Sequence, residues 1–96
     1  MKWKRTQNWK KTMVASLRKR DGDNCWLCAL PVKSGAASIE HIIARINGGT
    51  DDLSNLVLCH RGCNTHLADR PVEKKLKIRT KWHRTAFART QAQSAT

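Results

Sequence analysis

Two short cysteine pairs, Cys25-Trp-Leu-Cys28 and Cys59-His-Arg-Gly-Cys63, flank a stretch that holds an adjacent acid and imidazole, Glu40 and His41, together with Asn55; Asn64 follows the last cysteine. These residue types can do two kinds of chemistry, and the first is metal binding. A Cys-x2-Cys turn brings two thiolates to one ion, and a second pair about thirty residues on completes the tetrahedron that zinc prefers. On that reading Cys25, Cys28, Cys59 and Cys63 hold a structural Zn2+, which four thiolates close off from any reaction. His60 lies inside the second pair and could replace a thiolate, but four cysteines already suffice, so it is read as facing solvent or phosphate. Two disulfides are the competing use of the four thiols. The N-terminus Met-Lys-Trp-Lys-Arg has no apolar run behind it, which reads as no secretory signal, and a reducing cytoplasm with a metal is expected.

The second kind is hydrolysis. An imidazole is the natural base for activating water near neutral pH, and a carboxylate beside it can hold a hard divalent cation. Neighbours on a strand point to opposite faces. Glu40 and His41 therefore share a site only if the strand bends, and the loop marked by Gly48-Gly49 allows that.

These groups must be positioned by a body of 96 residues, one domain close to the size at which an apolar core alone is marginal. Apolar Trp9, Met13 and Leu17 recur every four positions with Lys and Arg off the stripe, which predicts an amphipathic helix over 9–20, with Asn8 as a possible N-cap and a turn at 21–24 to end it. Residues 29–32 and 37–42, separated by a Gly-containing turn, read as a β-hairpin with Pro31 on an edge. Residues 51–55 suit a single helical turn, 56–58 a buried segment, and 63–69 a helix stopped before Pro71. A second basic helix is expected over 72–88, with Ile78, Trp82 and Ala86 on one face. In domain terms, 1–8 is a mobile basic arm, 9–70 the site-bearing domain, 71–88 a basic helix packed on it or extending it, and 89–96 a disordered tail.

Nineteen Lys and Arg against seven Asp and Glu leave a net charge of +12, which implies a polyanionic partner. Nucleic acid leads; no segment is long and apolar enough to span a membrane. Lys10, Lys11, Lys19 and Arg20 on the first helix, the Lys and Arg of residues 74–84 on the last, and Arg45 in the loop after His41 are the candidates for phosphate contact. The four tryptophans could stack on bases, but Trp9 and Trp82 lie on helix stripes and Trp26 in a knuckle, so burial is expected of them; Trp3 alone is left without such a structural expectation.

Taken in order, Cys-x2-Cys, Ile-Glu-His-Ile-Ile, Gly-Gly, Asp-Leu-x-Asn-Leu-x-Leu-Cys and Cys-Asn resemble the HNH endonuclease family over about residues 21–70. The resemblance implies an α+β fold on a ββα-metal (His-Me) finger with a four-Cys zinc site and flanking basic helices. It implies a metal-dependent endonuclease acting on double-stranded DNA, with His41 as general base and Asn55 holding the loop that carries it. Glu40 and Asn64 would ligate a catalytic Mg2+, Mn2+ or similar cation, with His66 as alternative ligand to Asn64. It further suggests a phage or mobile-element nicking enzyme, monomeric or weakly dimeric, working beside terminase subunits in the host cytoplasm. The chain departs from the pattern at Glu40, where Asp is usual, at Ala44, where Pro is frequent, at Leu67, where Lys is common, and in the three-residue interval between Cys59 and Cys63. The alternative is a non-catalytic zinc-ribbon that binds nucleic acid.

Overall fold

A computed structural model describes residues 7–94 of the chain, with side chains from 8 to 85. The first element is helix α1, Gln7–Asp21, which presents the expected Trp9, Met13 and Leu17 stripe to the core. Three cations in its last turn, Arg18, Lys19 and Arg20, lie at the negative end of the helix dipole. Gly22, at φ +88°, then turns the chain, and its N–H returns to the Arg18 carbonyl at 2.8 Å. Because α1 opens at Gln7, Asn8 lies within the first turn and does not cap it. Residues 1–6, including Trp3 and most of the expected basic arm, fall outside the described residues.

Two strands follow, β1 (Ala37–His41) and β2 (Leu56–His60), antiparallel, with Ala37 opposite His60 and His41 opposite Leu56. This pairing replaces the expected hairpin of 29–32 with 37–42. Residues 29–32 contribute only an isolated bridge, Asn24 to Pro31, while the apolar run Leu56, Val57 and Leu58 is the segment that can be buried beside β1. After β2 come α2 (Arg61–Leu67) and, past Pro71, α3 (Val72–Ser94). The result is the expected α+β order, strand, strand, helix, with α1 and α3 on its flanks. α3 covers most of the stretch expected as a disordered tail; the side chain of Ala86 and the last two residues lie outside the described part.

The core gathers Leu17, Leu27, Val32, Leu56, Leu58 and Leu67, with Ile78 and Trp82 of α3 packed against it. Arg20 ties α1 to the strand pair. Its guanidinium donates to the carbonyls of Leu53 and Leu56, both at 2.8 Å, and grips Asp21 through two nitrogens. Arg18 similarly reaches Asp23 and the Val32 carbonyl.

The β1–β2 connection closes on itself through Asn55. Its Nδ2 donates to the carbonyls of Ile43 (3.0 Å) and Thr50 (2.8 Å), and its Oδ1 accepts from the Ile43 N–H (2.8 Å). The expected single helical turn is present at Leu53–Asn55. Gly48 adopts φ +94°, and at Gly49 a Cβ would fall 1.7 Å from the Ile43 carbonyl oxygen, so the loop cannot close with a side chain there.

Candidate metal centre and active site

β2 decides which residues face the first site. Adjacent strand positions point oppositely. Cys59 enters the core, fully buried, while His60 turns toward the cysteine turn at 25–28. The potential ligands that converge are Cys25, Cys28, His60 and Cys63, with all their donor atoms within 4.8 Å of one another. His60 Nδ1 lies 3.4 Å from Cys28 Sγ and 3.9 Å from Cys63 Sγ. A tetrahedron with bonds of about 2.3 Å to sulfur and about 2.0 Å to nitrogen has edges of about 3.5–3.8 Å, so the set could hold zinc with little rearrangement. The expected ligand Cys59 is thus replaced by His60. The correction also removes the odd three-residue interval, because His60-x2-Cys63 repeats the spacing of Cys25-x2-Cys28.

The surroundings fit an imidazole ligand. His60 Nε2 lies 3.0 Å from the Pro31 carbonyl, which can only accept; Nε2 therefore carries the proton and Nδ1 turns its lone pair to the sulfurs. The neighbouring Cys59 thiol, ahead of all other effects, holds the Cys25 thiol down to about 3, and Cys25 in turn raises that of Cys59. Burial pushes Cys63 up to about 12 and raises Cys28. A divalent cation is what would let the three sulfurs of this set ionise together. The knuckle is anchored by the Cys25 N–H to the Leu30 carbonyl and the Trp26 N–H to the Leu58 carbonyl, both 2.8 Å.

The second site lies at the end of β1. His41 Nε2 stands 2.8 Å from Asp51 Oδ1, and Asp51 Oδ2 lies 3.5 Å from the mostly exposed Arg45 guanidinium. Asp51 was not among the expected site residues. It has a legible signal, an acid just past Gly48-Gly49 in a loop short enough to fold back on His41. The Asn55 bonds hold the residues after His41: the Ile42 N–H also reaches the Asn55 carbonyl at 2.9 Å.

Glu40 is turned away from this arrangement. It is 2 % exposed, and its Oε1 accepts from Lys75 Nζ at 2.9 Å. Lys75 is itself completely buried, and it also donates to the His41 carbonyl at 2.7 Å. Glu40 Oε2 is buried without a hydrogen-bond partner. Burial raises the Glu40 carboxyl above the usual range, and the Lys75 ammonium works against that rise. The expected cation ligand is therefore engaged by a lysine, and Lys75, expected to meet phosphate, is internal. A lysine within Lys74-Lys75-Leu-Lys77 carries no sequence sign of burial.

Asn64 Nδ2 donates to Ser38 Oγ (2.8 Å) and the Ile39 carbonyl (2.9 Å), so Oδ1 is the side-chain atom that could ligate a cation. The ring of His66, the alternative, packs on Trp82 with centroids 5.0 Å apart. Of the candidate phosphate contacts, Lys10, Lys11, Lys19 and Arg45 are exposed, whereas the Arg20 guanidinium is occupied by the carbonyls and carboxylate described above. Among the described residues no helix is long and apolar enough to cross a membrane.

Residues 25–70 match the family model described as HNH endonuclease. No curated protein sequence and no solved structure matches the chain. The matched stretch takes in both strands, the loop between them, α2 and all four metal-knuckle ligands. Over that stretch the chain is similar to the HNH endonuclease family.

Proposed function

We propose that the chain is a metal-dependent DNA endonuclease in which His41 activates water for attack on a phosphodiester. The observation that carries the proposal is the 2.8 Å contact between His41 Nε2 and Asp51 Oδ1. An ionised carboxylate accepts only, so the ring's proton resides on Nε2 and Nδ1 is left with the lone pair that takes the proton of water. Asp51 then holds the ring in that tautomer and stabilises the imidazolium formed as the water attacks. Asn55 fixes the backbone on either side of the loop that carries Asp51, so base and orienting acid stay in register.

A divalent cation such as Mg2+ or Mn2+, when bound, would offset charge on the phosphate and on the departing 3′ oxygen. Asn64 Oδ1 is the group assigned to it in this reading, and Glu40 is withdrawn from that role by Lys75. Exposed Lys10, Lys11, Lys19 and Arg45 supply backbone contacts that read no sequence. The zinc assigned to Cys25, Cys28, His60 and Cys63 is structural. The family resemblance supports the finer reading of a nicking enzyme of phage type, one strand per active site, beside terminase subunits.

Supercoiled plasmid incubated with the protein and Mg2+ or Mn2+ tests this. Nicking that is lost in His41→Ala is the expected result. Binding at low salt without cleavage in any divalent metal would instead favour a zinc module that only binds nucleic acid.

A further inference from the structure

α3 begins beyond the segment that matches the family model, yet it reaches both functional ends of the fold. Lys75, Arg79 and His83 stand four residues apart and so share one face of this helix. Arg79 Nε and His83 Nε2 both donate to the Trp26 carbonyl, at 2.8 and 2.9 Å, and the Arg79 guanidinium lies 4.8 Å from the Trp26 ring centroid. Trp26 sits between the first two metal-knuckle cysteines. At the other end of the stripe Lys75 Nζ donates to the His41 carbonyl and to Glu40. One face of α3 thus fixes the knuckle and the end of β1 relative to each other.

A buried ammonium is costly unless it is paired and fully bonded, so a lysine placed here calls for a return. Neutralising Glu40 alone would not require the bond to His41. His41 is the last residue of the β1 ladder, opposite Leu56, and past it the strand N–H groups turn to Asn55. The carbonyl of the base therefore sits where strand pairing stops.

We propose that Lys75 is a positioning residue for His41, fixing the peptide of the base while Asp51 fixes its ring. This rests on the nuclease reading and deepens it, since it extends the catalytic unit into α3 and gives Glu40 the task of holding Lys75.

The test uses the full chain loaded with zinc. Lys75→Met alone strands a buried carboxylate and risks unfolding, so the main variant is Lys75→Met/Glu40→Gln, which removes both charges and the donor to His41. Glu40→Gln alone keeps that donor, with the Gln carbonyl still able to accept from Lys75, and its melting temperature checks that the uncompensated ammonium leaves it folded. Plasmid-nicking kinetics are measured against DNA and Mg2+ concentration, together with zinc content and amide exchange at Ile42 and Ile43. The double variant should bind zinc as the wild type does, lose on the order of 10–100-fold in kcat with KM for DNA unchanged, and exchange both amides faster. Glu40→Gln should keep the wild-type Mg2+ activation constant. A double variant with wild-type kcat would overturn the proposal, as would a Glu40→Gln variant that needs more Mg2+. If the wild type cleaves no DNA, the nuclease reading fails by itself. The exchange data still decide on Lys75, because unchanged protection at Ile42 and Ile43 in the double variant would refute it.

Discussion

Each strand of the sheet ends in a histidine, and because the strands are antiparallel His41 and His60 lie at opposite ends of it. Both rings are held through Nε2, His60 by the Pro31 carbonyl at 3.0 Å and His41 by the Asp51 carboxylate at 2.8 Å. The same device therefore leaves Nδ1 available twice, and the neighbours decide its use. Beside His60 stand the thiols of Cys28 and Cys63, so Nδ1 could complete a closed ligand set. Beside His41 stand a carboxylate able to stabilise a charged ring and an exposed arginine, which suit a proton acceptor next to a phosphate. On the proposed reading, one imidazole would hold a cation and the other would take a proton.

Four substitutions would break or sharpen that contrast. The largest effect should come from the knuckle: His60→Ala, or chelation of the wild type, should release the metal and unfold the domain, since structural zinc contributes on the order of 10 kcal/mol to small folds. Circular dichroism melts with and without chelator read this directly. Next, Lys75→Met leaves Glu40 buried and unpaired and should cost about 3–5 kcal/mol in denaturant unfolding. At the His41 end, Asp51→Asn should keep zinc and melting temperature but lower kcat by about a hundredfold or more, as the orienting carboxylate is lost. The smallest effect is assigned to Cys59→Ala, which should retain zinc at full stoichiometry and cost only about 1 kcal/mol. Loss of zinc in Cys59→Ala with retention in His60→Ala would reverse the ligand assignment.

At the His41 end the loop was readable from the sequence, though Asp51 and the engagement of Glu40 were missed. The asparagine that ties the loop, the glycine pair and the helical turn at 53–55 are all local signals, carried within about fifteen residues. The knuckle was readable to three ligands. Counting cysteines pointed to Cys59, whereas strand alternation at Cys59-His60 and the repeated two-residue interval point to His60. The hairpin expectation failed for a related reason: β1 takes the more apolar partner, 56–60, across the long loop, and nearness in sequence did not decide the pairing. Lys75 could not have been read as buried. Its partner Glu40 lies 35 residues away, and a basic helix offers no local mark that separates an internal lysine from solvated ones.

If the two histidines do different work, plasmid nicking by His41→Ala at verified zinc occupancy separates their roles. The His41→Ala variant should keep its zinc and its melting temperature and cleave at least about a hundredfold more slowly than the wild type in Mg2+ or Mn2+. Cleavage by zinc-loaded His41→Ala at the wild-type rate would contradict that division of roles.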